Sequence, residues 1–282
     1  MSYQPFISII TSVKNGAPHI RGLIESVLSQ DYTAFEHIIV DDGSDDSGAT
    51  VQILREYPHL RWWSRENKGQ YASQNEALWA AIGDIIVVIS ADDAMVTPNT
   101  LSRVATAWQH DPALDVIFGK ALHMDSNGEL LPYQLDVTGE FASRVCRHHL
   151  FIQHCSLFVS RATVVRNAVW FDPTFKYAGD WDWIVRILLA SKSVKYIPEP
   201  LSIIRKHAAQ TSRVASGSLM LEEHRRVCSR YGGSYSVHIA IKETLQYWAM
   251  FRIAAHIAIK DGPETLWNKF VDWRHRRSLR NQ

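Results

Sequence analysis

Four carboxylates fall within six residues at Asp41-Asp42-Gly43-Ser44-Asp45-Asp46, and a second acidic group stands at Ser90-Ala91-Asp92-Asp93. Like charges this close repel one another unless a cation or a hydrogen-bond donor sits among them. In the first group, Asp41 and Asp42 can accept from the imide N–H of a pyrimidine base or from ribose hydroxyls, while Asp45 and Asp46 can equally cap the helix that follows. In the second, carboxylate oxygens suit hard divalent cations such as Mg2+ or Mn2+, which keep waters and bridge to substrate phosphates. The plainer alternative is a turn capped by Asp93 with Asp92 merely exposed.

Both groups follow apolar runs. His37 to Val40 and Asp84 to Ile89 are short and rich in Ile and Val, as strands buried on both faces are. Around them the sequence alternates strand and helix patterns: strands at Phe6 to Thr11 and Leu60 to Trp63, helices opened by Pro18 (Ile20, Leu23, Ile24, Val27 and Leu28 on one face), at Ser47 to Glu56 and at Gly69 to Ala81. This is a βαβ series feeding a mainly parallel sheet, with carboxylates at the C-terminal strand ends, the edge where open α/β sheets bind ligands. Further on, a helix at Thr100 to Gln109, strands at Val116 to Phe118 and Leu157 to Val159, a turn at Ser126-Asn127-Gly128 and a helix at Trp181 to Leu189 are expected. From about Gly217 the pattern is helical, broken at Gly232-Gly233 and Gly262-Pro263.

The 282 residues, 46% of them hydrophobic, suit one large domain with an appendage. With 30 basic and 29 acidic side chains the net charge is +1, which argues against a general polyanion binder and so against nucleic acid as a partner. Cys146, Cys155 and Cys228 form no CxxC pair or zinc spacing and read as reduced thiols of a cytoplasmic protein. The N-terminus lacks a signal-peptide pattern, and no apolar run is long enough to span a bilayer.

Several separated segments together resemble the inverting glycosyltransferases of family 2, with the GT-A fold. They are Ile7-Ser8-Ile9-Ile10-Thr11 with Asn15; Ile38-Ile39-Val40 running into the first acidic group; Asn67-Lys68-Gly69 with Asn75 and Ala77; Gly83-Asp84; Ser90-Ala91-Asp92-Asp93; and Gly179-Asp180-Trp181-Asp182-Trp183. The resemblance covers about residues 6 to 210. It implies a GT-A domain over 1–215, with a nucleotide-sugar half (1–120) and an acceptor half (121–215), and a helical C-terminal extension over 216–282. It further implies that Thr11, Asn15, Asp41, Asp42, Asn67, Gly69, Asn75, Ala91, Asp92 and Asp93 contact the nucleotide-sugar, and that Asp92, with His207 of the Arg205-Lys206-His207 loop, holds a divalent cation. Asp180 then resembles the general base, with Asp182 its competitor and an N-cap role its alternative. Trp181, Asp182 and His154 fall to the acceptor side. Two positions depart from the family pattern: Ser90 replaces the first Asp of the DXD motif, and Gly179 replaces a common Glu.

The expected activity is transfer of a sugar from a nucleotide-diphosphate donor, UDP favoured, to a hydroxyl of a glycan or lipid-linked acceptor. A sugar-phosphate nucleotidyltransferase would need a Gly-rich basic loop that Ser12-Val13-Lys14-Asn15-Gly16 does not supply. A non-catalytic sugar-binding module is the third reading. Arg65 and Lys68 either steer phosphates or are ordinary surface charge. The basic aromatic tail, Trp267 to Gln282, either meets an anionic membrane surface or packs on the domain.

Overall fold

The computed structural model describes residues 3–131, 145–207, 210 and 218–245. The chain opens with β1 (Ile7–Val13), α1 (Ile20–Leu28), β2 (Phe35–Asp41), α2 (Ala49–Arg55), β3 (Arg61–Ser64), α3 (Gln70–Ala80) and β4 (Ile85–Val88). Then come β5 (Ala94–Met95), α4 (Thr100–His110), β6 (Val116–Met124), a 3-10 turn (His154–Ser156), β7 (Leu157–Ser160), α5 (Arg161–Arg166), α6 (Gly179–Ala190), β8 (Val194–Arg205) and α7 (Ser218–Arg230). A further helical stretch covers 235–245.

The eight strands form one sheet in the order β3-β2-β1-β4-β7-β6-β8-β5. The half from β3 to β4 is parallel, as the alternation of strands and helices predicts. In the other half β7 runs antiparallel to both its neighbours, β6 and β8 are parallel, and β5 closes the edge antiparallel to β8.

Strand side chains alternate faces, so each strand feeds two cores. Ile7, Ile9, Ile39 and Val87 pack under α1 and α4, against Leu23, Ile24, Leu101 and Val104. Ile10, Ile38, Val40 and Val88 pack on the other face, with Leu78 of α3, Trp183, Ile184 and Ile187 of α6, and Val227 of α7. Leu28, expected on the apolar face of α1, is exposed at the last position of the helix, one step round from the buried Val27.

The turn at Ser126-Asn127-Gly128 forms with Gly128 left-handed at φ 84° and its N–H donating to Asp125 O. The break after α7 falls at Gly232-Gly233, where Gly232 has φ 66°. Gly262-Pro263 and the tail from Trp267 to Gln282 lie outside the described residues, as do parts of the expected acceptor half. The three cysteines are free and buried. Among the described residues no helix is long and apolar enough to cross a membrane.

Candidate functional site

The C-terminal ends of β1, β2 and β4 form the upper rim of the parallel half. Asp41 and Asp42 are consecutive at the end of β2, so they leave the strand in opposite directions. Asp41 turns inward and is wholly buried: Ser44 donates to Oδ1 through its N–H (3.2 Å) and hydroxyl (2.5 Å), and the Ser64 hydroxyl donates to Oδ2 (2.5 Å). It fixes the turn. Asp42 turns toward Arg65, whose guanidinium donates to Oδ1, as does the Lys68 N–H at 2.8 Å. Arg65 also binds Glu76 (3.1 Å) and the Ser73 hydroxyl (2.9 Å), so it is neither loose surface charge nor a free phosphate ligand. Lys68 pairs with Glu76 at 3.6 Å.

Asn15, left-handed at φ 54°, clasps the neighbouring loop: its amide donates to Asp45 Oδ1 (2.5 Å) and its carbonyl accepts the Asp45 N–H (2.8 Å). Asp46 accepts from the Thr50 N–H (3.1 Å) and hydroxyl (2.6 Å), holding the first turn of α2. Asn67 accepts the Gly69 N–H at 3.0 Å, and Gly69 opens α3 at φ 91°. Two expected pocket residues are enclosed and bonded within the domain. Thr11 is wholly buried within the sheet, 3.3 Å from His37 Nε2. Asn75 spends its amide on the backbone of Phe171, donating to its carbonyl (2.9 Å) and accepting its N–H (2.8 Å).

Ser90 to Asp93 form the turn after β4, with Ala91 half-buried in it. Asp93 is nearly enclosed and accepts the Arg205 N–H at 3.3 Å; burial, reinforced by the charge of Asp92, pushes its carboxyl up to about 7. The Arg205 guanidinium donates to the carbonyls of Asp92 (3.1 Å) and Asp93 (3.2 Å), pinning the turn to the end of β8. The side chain of Asp92 is 24% exposed, and its Oδ2 lies 3.0 Å from His207 Nε2. The His207 ring packs 4.4 Å from that of His19, which burial and the His207 charge shift downward. Among the described residues no three His, Cys, Asp or Glu side chains converge as a complete ligand set. One carboxylate oxygen and one imidazole nitrogen nonetheless fit a Mg2+ or Mn2+ ion that takes its remaining ligands from a diphosphate and water.

Asp180 sits in the first turn of α6, which starts from Ala178, so it is not the N-cap. Its side chain is 29% exposed, Oδ1 accepts the Trp181 N–H at 2.8 Å, and Oδ2 lies 3.6 Å from His154 Nδ1. Gly179 is explained by Tyr71. A Cβ there would stand 2.5 Å from the Tyr71 ring, and the Gly179 N–H donates to the Tyr71 hydroxyl at 2.9 Å. The helical rotation that presents Asp180 carries Trp181 and Asp182 inward, while His154 approaches Asp180 from the 3-10 turn. Trp181 is core: its indole N–H donates to Cys146 O (2.6 Å) and its ring stacks on His238. Asp182 is wholly buried and accepts from Arg186 (2.6 Å), Arg230 (2.7 Å) and the Tyr231 hydroxyl (2.7 Å). His154 is held between Asp180 and Ser90, whose hydroxyl is 2.9 Å from Nε2. Trp183 is core as well, stacked on Phe171.

One contributor had no signal in the sequence. Glu223 of α7 is buried, and its carboxylate accepts the N–H groups of Lys176 (2.7 Å), Tyr177 (2.8 Å) and Ala178 (2.9 Å), the three residues leading into α6. In the sequence it reads as one more polar position on an amphipathic helix. The same helix supplies Arg230 to Asp182, so α7 is bound into the domain through the segment that carries Asp180.

Comparison with known proteins gives a consistent result. A family model described as glycosyl transferase family 2 matches residues 8–167. An uncharacterized glycosyltransferase of Rickettsia typhi is 28% identical over 236 residues, covering 82% of this chain and 72% of that protein. The O-antigen biosynthesis protein RfbC of Myxococcus xanthus is 26% identical over 287 residues, covering 94% of this chain but 22% of RfbC. The chain likewise spans 35% of a glycosyltransferase from Rickettsia bellii. Among solved structures, residues 1–349 of S. aureus TarS in complex with UDP-GlcNAc align with a TM-score of 0.63 at 21% identity, over 79% of this chain and 64% of that one. A mannosyltransferase from Pyrobaculum calidifontis in complex with GDP-Man and Mn2+ aligns with a TM-score of 0.58 at 18% identity, over 99% of this chain and 83% of that one.

Proposed function

The chain belongs to glycosyl transferase family 2, and from that membership and its GT-A fold we propose that it moves a sugar from a nucleotide-diphosphate donor to a hydroxyl of a glycan or lipid-linked acceptor by inverting single displacement. Asp180 is the general base. In an in-line displacement the acceptor oxygen reaches the anomeric carbon on the face opposite the departing diphosphate, and its proton needs a carboxylate there. The observation that carries this reading is the connection Asp92-turn, Ser90, His154, Asp180. It ties a partly exposed carboxylate suited to a cation and a partly exposed carboxylate suited to a proton to one end of the sheet.

Asp42 orients the base of the nucleotide. Arg65 and the Lys68 N–H hold its Oδ1, which leaves Oδ2 to accept a ring N–H such as the imide that uracil and thymine share. Asp92 and His207 are the residues that would hold Mg2+ or Mn2+, and the ion would act as a Lewis acid on the leaving diphosphate. Arg205 keeps the backbone of that turn in place. No side-chain nucleophile is needed. The basic tail would bring the enzyme to the inner membrane surface of a cytoplasmic compartment, where lipid-linked acceptors reside.

Thermal shift with UDP, GDP and dTDP, with and without Mn2+, tests the donor site, since a ligand of the native state raises its stability by mass action. UDP with Mn2+ is expected to give the largest rise. If no nucleoside diphosphate raises the melting temperature, the reading fails; if Asp180→Asn transfers sugar as well as the wild type does, the base lies elsewhere.

A further inference from the structure

Resting on the glycosyl-transfer reading, we propose that His154 is the positioning residue of Asp180, aimed by Ser90 through a Ser90–His154–Asp180 line that takes over from the carboxylates the family has at positions 90 and 179. The Ser90 hydroxyl and His154 Nε2 are 2.9 Å apart, and His154 Nδ1 faces Asp180 Oδ2 at 3.6 Å. That second distance is an ion-pair distance, longer than a hydrogen bond, and Nδ1 is a buried atom with no hydrogen-bond partner. A buried ring nitrogen without a partner is costly, so it has reason to close on the one carboxylate in front of it.

The line fixes the proton arrangement. Ser90 can donate to Nε2, which leaves the ring proton on Nδ1, pointing at Asp180; an imidazolium would carry it there as well. Burial works against the charged ring, but the carboxylates of Asp180, Asp93 and Asp92 outweigh it and shift His154 upward. Asp180 is then fixed from two sides, Oδ1 by the Trp181 N–H and Oδ2 by His154, and presents its remaining lone pairs to the acceptor. An aspartate at 90 would face Asp92 and Asp93 with a further negative charge. Serine offers the imidazole a donor, which a carboxylate lacks, without that charge, so the departure at 90 and the presence of His154 belong together.

The two amide isosteres of histidine separate this role from packing. In His154→Asn the side-chain N–H2 stands where Nδ1 stood and keeps the donor to Asp180; in His154→Gln it stands where Nε2 stood and keeps only Ser90. With the full-length chain and a UDP-sugar, His154→Gln is expected to lower kcat by about 10²-fold with donor KM within about twofold, as a misaimed catalytic group does. His154→Asn should retain most of kcat, and Ser90→Ala should fall between them. Equal activity of the Asn and Gln variants, at either level, overturns the proposal. A second readout needs no substrate: 15N imidazole shifts of wild-type protein should show Nδ1 protonated and moving on Asp180→Asn. A bare Nδ1 overturns the proposal even if both variants misfold. Failure of the wild type to transfer any sugar would instead refute the proposed function, with the ring still readable.

Discussion

Acidification should loosen this protein at a cluster of buried histidines. His149 and His238 meet with their Nδ1 atoms 3.1 Å apart, His224 stands edge-on to His238, and the cluster lies on the ring of Trp181, one residue from Asp180. Two nitrogens so close need one donor and one acceptor, so the pair accommodates one proton and not two. Burial, with the neighbouring His and Lys242 charges, pushes His238 down to about 4, and burial with His224 and Lys242 does the same for His149. The unfolded chain titrates these rings near 6.5 and therefore binds more protons than the native one between about pH 6.5 and 4. Their stabilising contribution is complete above that window and is lost as pH falls through it. For one ring, the loss between about pH 7 and pH 5 is about 2 kcal/mol.

Total stability alone will not isolate this, because His37 and His123 are also held down by burial and lose stability over the same interval while Asp93, raised to about 7, gains it. The difference between two proteins does. His238→Phe keeps an aromatic ring on Trp181 and removes the titration. In urea unfolding followed by circular dichroism, the wild type should lose about 2 kcal/mol more than the variant between about pH 7 and pH 5. Equal losses in the two proteins would refute the reasoning.

Glu223→Ala leaves three backbone N–H groups without their acceptor and should cost about 3 kcal/mol in urea unfolding, at about 1 kcal/mol per hydrogen bond, with kcat falling alongside. Gly179→Ala drives a methyl into the Tyr71 ring and should destabilise by about 1–3 kcal/mol in thermal melts. Arg65→Ala removes the cation from a nearly buried Asp42 and should raise the UDP dissociation constant about tenfold or more, read by calorimetric titration, with a smaller change in kcat.

How much the sequence reveals depends on whether a pattern is local. The parallel strands are legible because unbroken β-branched runs are buried on both faces. Strand β8 is not, because Pro198 and Pro200 interrupt it and its pairing with β6 shifts register around Lys120. In the site, motif and position single out Asp42, Asp92, Asp180 and His207. Thr11, Asp41, Asn75, Trp181 and Asp182 carry equally suggestive residue types, and the structure buries them, as it does Asp42 beside Arg65. A strand reverses its side-chain direction at each step and a helix rotates by about 100°, so neighbours of a functional residue are the ones most easily mistaken for it. Glu223 and Tyr71 act on segments far along the chain, where no periodicity reaches.

The clamp made by Glu223 also sets an order of events. A chain is synthesised from its N-terminus, and the strands carrying Asp42 and Asp92 have their partners early. The turn leading into Asp180 must wait for a carboxylate 45 residues beyond Ala178. A nascent chain therefore holds a finished parallel half before it holds a fixed Asp180, and a chain terminated ahead of α7 would keep that half with Asp180 unset.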